Sequence, residues 1–228
     1  MKLSVIVLVF NEVKTILRAI EEACLIGVAE KEIIVIDNGS FDGTRELLQG
    51  INDPSIKIIY NHKNLGPGKS VQIGISEAKG EYIYIHHADL EYPISIVPEM
   101  LNLMIKEKSD VILGSRLKGT NKNIWQAIKE RPEYAATILT TTLVNIFYKK
   151  NFTDIIGSRL YRASSIREIP ISTYGVGFEF EHISRICRHG LHVLEIAIPY
   201  KARKEGKKAH PRHIFNAIGS LFKVRIFG

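Results

Sequence analysis

Hydrophobic positions in the first half of the chain follow two patterns, one typical of buried strands and one typical of helices. Residues 3–10 form a continuous apolar run rich in valine, which predicts a strand buried on both faces. The spacing then becomes helical, and Asn11 is expected to cap the first helix. Similar runs predict strands at residues 33–36, 56–60, 82–85 and 111–113.

This alternation predicts an α/β fold with a mostly parallel sheet that is covered by helices on both faces. In such sheets ligands bind beyond the carboxyl ends of the strands. Polar residues follow each of the first four predicted strands, and we expect them to converge on one crevice. They are Asn11 and Glu12, then Asp37, then residues 64–69, and last residues 87–91.

The second half of the chain is less regular. Residues 125–150 have helical spacing interrupted at Pro132, and residues 175–188 predict another helix. A strand is expected at the end of residues 154–162, and a last strand at residues 193–200 before a basic tail. No repeat or linker interrupts the pattern, which predicts a single domain.

The charge of the chain indicates the kind of partner it binds, and its cysteine content indicates its cellular compartment. The net charge of +7, concentrated at residues 201–208, suggests an anionic partner. The basic residues lack interleaved aromatic side chains, so we expect no nucleic-acid binding. Cys24 and Cys187 fall at helical apolar positions and predict buried free thiols in a reducing, cytoplasmic compartment. The most apolar uncharged stretch, residues 134–148, is too short to span a membrane.

Two turns carry candidate ligand-binding groups. Asp37 ends a buried strand, and its carboxylate could bind a nucleobase or ribose, because its charge has no evident packing role. Asp42 in the same turn is expected to cap a short helix. Gly66 and Gly68 precede Lys69 in a loop that resembles a phosphate cradle at the start of a helix. The alternative is a tight turn with an exposed lysine.

The loop at residues 87–91 places three candidate metal ligands at alternate positions. In an extended loop His87, Asp89 and Glu91 share one direction. Carboxylate oxygens suit Mg²⁺ or Mn²⁺, and an imidazole favours Mn²⁺. An ion held here would bridge to diphosphate oxygens. We therefore predict a divalent metal site on this loop, and we assign His86 to the preceding strand.

The motifs of the chain also resemble a known family when they are taken in order. Those of the first half are Phe10-Asn11-Glu12, the 36–44 turn, Asn64-x-Gly66 and Ala88-Asp89-Leu90-Glu91-x-Pro93. They resemble the family 2 glycosyltransferases, whose fold is the Rossmann-like nucleotide-diphospho-sugar transferase (GT-A) fold. Later motifs are similar to the polyprenol-phosphate (dolichol-phosphate) mannosyl- and glucosyltransferases: Gly114-Ser115-Arg116, Thr153-Asp154, Gly157-x-Arg159, Glu181 and Tyr200-x-x-Arg203-x-x-Gly206-x-Lys208.

The resemblance implies a single domain over residues 1–228 that transfers mannose or glucose, with inversion, from a GDP- or UDP-sugar to a polyprenyl phosphate, using Mg²⁺ or Mn²⁺. Residues 1–115 would bind the nucleotide sugar, and residues 116–228, with the basic tail, would bind the acceptor. The implied donor-binding residues are Glu12, Asp37, Lys69, Arg203 and Lys208. Arg116, Arg131 and Arg159 would bind the acceptor phosphate, His87, Asp89 and Glu91 the metal, and Asp89, Glu91, Arg116 and Glu181 would serve catalysis.

Three positions bear on this interpretation. His87 replaces the first aspartate of the family's metal motif, which weakens the metal assignment. Leu8 stands where the family often has proline. Glu181 is a candidate general base, which a sugar-hydroxyl acceptor would need; a phosphate acceptor is already anionic, and Glu181 could then orient neighbouring Arg or Lys side chains.

Two alternatives stay open at this stage. One is transfer to a glycan hydroxyl in surface-polysaccharide assembly, and the other is a degenerate relative that binds nucleotide sugars without catalysis. We expect peripheral contact with the cytoplasmic face of a membrane, through the helices of residues 125–150 and the tail at 214–227, or anchoring by a partner protein.

Overall fold

The computed structural model describes residues 2–118, 128–129, 134–175, 177–202 and 213–227, with backbone alone at 213–216. Within these residues seven strands form one sheet in the order β3-β2-β1-β4-β6-β5-β7. The strands are β1 (Lys2–Val9), β2 (Glu30–Asp37), β3 (Ile56–Tyr60), β4 (Tyr82–His87), β5 (Val111–Ser115), β6 (Arg159–Arg162) and β7 (Val193–Ala197).

Strand pairing confirms the predicted mostly parallel sheet. β1 pairs in parallel with β2 and β4, β2 with β3, and β5 with β7. The exception is β6, which is antiparallel to both of its neighbours, β4 and β5. The sequence predicted a strand here but not whether it would be parallel or antiparallel, because a segment of four residues gives no indication of strand direction. The sheet therefore draws strands from both halves of the chain.

Helices cover both faces of the sheet. They are α1 (Ile16–Leu25), α2 (Thr44–Gln49), α3 (Pro67–Glu77), α4 (Val97–Lys106), α5 (Tyr134–Tyr148), α6 (Ala163–Ile166), α7 (Phe178–Arg188) and α8 (His213–Phe227). Alternate residues of β1 enter opposite cores, with Val5 and Val7 in one and Ile6 and Leu8 in the other. This two-sided burial explains why β1 is apolar at every position from Val5 to Val9.

Several local predictions were wrong. Helix α1 begins at Ile16 with Thr15 at its N-cap, so Asn11 does not cap it. Asn11 instead adopts a positive φ of 54°, a conformation that asparagine tolerates better than most residues. Cys24 is only partly buried, whereas Cys187 is buried as predicted. The last strand stops at Ala197.

Helix boundaries bear on the membrane question. The predicted helical region at 125–150 contains α5, and much of what precedes α5 lies outside the described residues. In the described part of the chain, no helix combines the length and the apolar character that crossing a membrane requires.

Candidate active site

Hydrogen bonds join the loops that follow β1 and β2. The Asn11 amide N–H donates to Ser40 Oγ over 2.9 Å, and Asn11 Oδ1 accepts from the Phe41 amide over 2.9 Å. The N-cap residue of α2 is Gly43. Asp42, one residue earlier, accepts from the amide of Thr44, the first residue of the helix, and so caps it with its side chain. These contacts fix two loops at the carboxyl edge of the sheet.

Three asparagines extend the same network to the loop after β3. Asn61 Nδ2 donates to Asn38 Oδ1 over 3.1 Å, and Asn38 Nδ2 donates to Asn64 Oδ1 over 3.0 Å. β4 ends beside β1, where the Ala88 amide donates to Leu8 O. The polar segments after the first four strands therefore lie at one edge of the sheet, but of these segments only 87–91 lines the large cleft there, so the predicted single crevice is not formed by all four.

The Asp37 carboxylate is engaged by the protein itself. It is fully buried, and it accepts from the Ser40 amide over 2.9 Å and from Arg45 Nε over 2.7 Å. Arg45 also stacks over the Tyr60 ring, with its guanidinium carbon 5.3 Å from the centroid. The assumption that this charge has no packing role was wrong, because an ion pair with Arg45 stabilises it.

The glycines of the supposed phosphate cradle serve another purpose. Gly66 has a φ of 87°, and a Cβ there would clash with Tyr174 O. The Gly68 amide donates to the same carbonyl over 2.9 Å. Lys69 Nζ donates to Gln72 Oε1 over 2.7 Å and lies over the Tyr174 ring. This loop therefore packs against the segment before α7, and the Gly68 amide is used within the protein.

The 87–91 loop does not form the predicted set of three ligands. It is a turn, not an extended segment: the Leu90 amide donates to His87 O, and Leu90 has a φ of 57°. His87 consequently faces a cavity of about 10 Å³, whereas Asp89 and Glu91 line a separate cleft of about 600 Å³. Among the described residues, no three His, Cys, Asp or Glu side chains group as metal ligands.

Two carboxylates still fit a divalent cation. Asp89 and Glu91 are hard oxygen ligands on one cleft wall, and Mg²⁺ typically takes one or two protein carboxylates, with substrate phosphates and waters as its other ligands. The fit to Mg²⁺ or Mn²⁺ therefore rests on this pair, without His87.

The segment after β7 closes the other wall of this cleft. The Lys201 amide donates to Glu91 O over 2.9 Å, and the Tyr200 hydroxyl donates to Glu91 Oε2 over 3.1 Å. Burial and the Glu91 carboxylate raise the pKa of Tyr200 to about 12. The phenol therefore keeps its proton at neutral pH and acts as a donor to Glu91.

Arg116 lies behind Tyr200, held by a buried carboxylate. Its Nε and Nη2 donate to the two oxygens of Asp154 over 2.6 and 3.0 Å. Its guanidinium carbon lies 5.2 Å from the Tyr134 ring centroid and 5.3 Å from that of Tyr200. These contacts hold Arg116 next to Tyr200, which lines the cleft. Arg116 is not itself one of the lining residues that the structure describes.

Arg159 and Glu181 are both buried. Arg159 Nη2 donates to Ile155 O over 2.6 Å, and the side chain lines the small cavity with His87 and Glu179. Glu181 accepts from Arg185 Nε over 2.8 Å and from two backbone amides at 172–173.

Burial alone would raise the pKa of the Glu181 carboxyl, but donors from Thr173 and Arg185 outweigh it and hold the pKa below its ordinary value. The geometry matches the second interpretation of Glu181, in which it orients an arginine.

Some predicted residues lie outside the described part of the chain, and sequence reasoning missed others. Arg131, Arg203 and Lys208 fall outside the described residues. Tyr200 and Asp154 belong to motifs noted above but received no role. Their partners, Glu91 and Arg116, lie far away in the sequence, so local spacing could not reveal them.

Comparisons with known proteins identify the family and the fold. The profile of the family described as Glycosyl transferase family 2 matches residues 4–170. A low-salt glycan biosynthesis hexosyltransferase, Agl6, of Haloferax volcanii is 27% identical over 99% of this chain and 56% of its own. A dolichol-phosphate mannosyltransferase of Pyrococcus furiosus is 34% identical over 55% of this chain and 36% of its own. The chain thus spans between about a third and about half of these relatives.

Among solved structures, glucosyl-3-phosphoglycerate synthase of Mycobacterium tuberculosis, in complex with Mn²⁺, uridine diphosphate and phosphoglyceric acid, is similar with a TM-score of 0.74. It is 15% identical, and the match covers 100% of this chain and 79% of that one. This similarity shows the GT-A fold. The profile match over most of the chain leads to one conclusion: the chain belongs to glycosyl transferase family 2.

Proposed function

We propose that the protein transfers a hexose, mannose or glucose, from a GDP- or UDP-sugar to a polyprenyl phosphate, with inversion at the anomeric carbon. The observation that carries this proposal is the cleft at the carboxyl edge of the sheet, where Asp89 and Glu91 line a wall that the Tyr200 segment closes. The similarity to the dolichol-phosphate mannosyltransferase supports the choice of acceptor.

The donor belongs to the half at residues 1–115. Asp89 and Glu91 would hold Mg²⁺ or Mn²⁺, and the ion supplies charge stabilisation to the leaving diphosphate when bound. Hydrogen bonds join the loops after β1 and β2, which carry Glu12 and Asp37. We assign the nucleoside to the surface that these two loops form. Further donor contacts are assigned to Lys69, Arg203 and Lys208.

The acceptor belongs to the half at residues 116–228. A phosphate monoester is already anionic and needs no strong base, which agrees with the engagement of Glu181 by protein donors. We assign the acceptor phosphate to Arg116, Arg131 and Arg159, since the arginine cation donates hydrogen bonds to phosphate oxygens. Nε and Nη2 of Arg116 already bind Asp154, so its contact with the phosphate is assigned to Nη1.

A lipid acceptor requires that the protein bind the membrane surface. We assign this membrane-binding surface to α5 and α8. These helices contain no Asp or Glu, and their rings pack together where the centroids of Phe147 and Phe222 lie 5.2 Å apart. Ile146 is 67% exposed, and Phe227 is 82% exposed. Exposed apolar side chains beside basic ones are typical of helices that lie on anionic lipid. The basic neighbours are Lys149, Lys223 and Arg225.

Flotation with lipid vesicles tests this surface. The wild type should float with vesicles that contain phosphatidylglycerol, and replacing both Ile226 and Phe227 by serine should weaken binding at least tenfold. The control Leu25→Ser removes an equally exposed side chain from α1 and should leave binding unchanged. Equal loss in both variants, or no flotation of the wild type, would overturn the assignment.

The acceptor itself is tested by incubating the protein with Mn²⁺, polyprenyl phosphate and a panel of labelled GDP- and UDP-sugars, followed by extraction with organic solvent. Label in the organic phase that depends on polyprenyl phosphate is the expected result. A glycan-hydroxyl acceptor is the second candidate, favoured by the hexosyltransferase Agl6 of glycan biosynthesis, which matches nearly the whole chain. Label that appears only on an added glycan would establish that candidate instead.

A further inference from the structure

Tyr200 occupies a junction between two parts of the active site. Its hydroxyl donates to Glu91 Oε2 over 3.1 Å, and its ring lies under the Arg116 guanidinium, 5.3 Å from the guanidinium carbon. The Tyr92 ring also packs against it, with the two centroids 5.2 Å apart. Tyr200, which follows β7, therefore contacts both the 87–91 loop and Arg116, the residue after β5.

Each member of this junction is held by another. The buried Asp154 fixes Arg116 through two hydrogen bonds, and the backbone amide of Lys201 donates to Glu91 O, which fixes the segment that carries Tyr200. The Tyr200 ring contacts both Tyr92 and Arg116, and these contacts restrict movement of its hydroxyl away from Glu91. A donor held in this way restricts rotation of the carboxylate.

We propose that Tyr200 is a positioning residue that orients the Glu91 carboxylate for the divalent cation. The inference rests on the proposed metal site of Asp89 and Glu91. Partners that hydrogen-bond to a ligating carboxylate restrict its orientation, and their loss typically weakens metal affinity by about 10- to 100-fold. Tyr200 also explains how the position of the segment after β7 can influence metal binding.

The test is a titration of Mn²⁺, followed by electron paramagnetic resonance, on the full chain in the presence of UDP or GDP. Tyr200→Phe removes the hydroxyl and retains the ring, so it should raise the Mn²⁺ dissociation constant by about tenfold. Nucleotide affinity without metal and the melting temperature should stay unchanged. The matched control is Tyr82→Phe, which removes a hydroxyl at the opposite end of β4 from the 87–91 loop and should leave Mn²⁺ affinity unchanged.

A double-mutant cycle separates positioning from a general structural effect. If Tyr200 acts through Glu91, Tyr200→Phe should have no further effect in the Glu91→Ala background. The same loss of affinity in both backgrounds would overturn the positioning role. Mn²⁺ binding by the wild type with no change in Tyr200→Phe would overturn it too, while leaving the metal site intact. No Mn²⁺ binding by the wild type would overturn the metal site itself.

Discussion

At the scale of single residues, neighbours decide what each carboxylate can do. Asp37, Asp154 and Glu181 are buried, and each is held by an arginine and by backbone amides. Asp89 and Glu91 instead line an open cleft. The sequence singled out most of these acids as chemically important, but it could not distinguish the two groups, because the arginine partners come from other parts of the fold.

The Asp154–Arg116 pair yields a prediction about stability. Asp154→Asn should lower the free energy of unfolding by about 3–5 kcal/mol, because it leaves a buried guanidinium without its counter-charge. The exposed pair of Lys106 and Glu107 provides the control, and Glu107→Gln should change stability by less than about 1 kcal/mol. Urea denaturation of both variants measures the difference. Equal stability of the two would contradict a structural role for Asp154.

Two buried histidines predict a loss of stability in acid. Burial lowers the pKa of His86 to about 4 and that of His182 to about 3, below the ordinary value of 6.5. Between those values the unfolded chain binds protons that the folded chain does not, so stability falls as the pH drops below 6.5.

The expected loss by pH 5.5 is up to about 1.4 kcal/mol for each histidine, relative to neutral pH. Urea denaturation at pH 7.5 and pH 5.5 measures it, and His182→Gln should reduce the difference between the two pH values. Stability that does not change with pH would contradict neutral burial of both rings.

At the scale of elements, hydrophobic patterning predicted the strands well and the helix ends poorly. The apolar run of β1 identified a strand buried on both faces, because Val5 to Val9 are apolar without interruption. The start of α1 was missed because Asn11 is used to bridge two loops instead. Likewise, Gly66 and Gly68 suggested a phosphate cradle, whereas their role is a close approach to the segment at 173–174.

This approach can be tested at Gly66. Gly66→Ala should destabilise the protein by more than about 1 kcal/mol, because it adds a Cβ in a left-handed conformation and against Tyr174 O. Gly27→Ala is the control, since a Cβ there meets no atom within 4 Å. Thermal melting should show a lower midpoint for Gly66→Ala alone. A matching midpoint for both variants would show that the contact is unimportant.

At the scale of the whole molecule, one sheet brings distant segments of the chain to a single edge. The alternation of strand and helix predicted this edge and the loops that lie along it, although not which of them would line the cleft. It could not predict that Tyr200, from the end of the chain, would contact Glu91, since the two are 109 positions apart. The sequence also could not predict that His87 would line a different cavity from Asp89 and Glu91, because this separation depends on the turn at Leu90.

The proposed function requires that the Asp89–Glu91 cleft catalyse metal-dependent transfer from a nucleotide sugar. The most direct measurement is the release of nucleoside diphosphate from GDP- and UDP-sugars in the presence of Mn²⁺ and polyprenyl phosphate. Chelation should abolish release, and Asp89→Ala should lower it by about 100-fold or more, since a lost metal contact costs several kcal/mol of transition-state stabilisation. The exposed Asp53→Ala should match the wild type. Undiminished release by Asp89→Ala, or no release from any donor, would rule out metal-dependent transfer in this cleft.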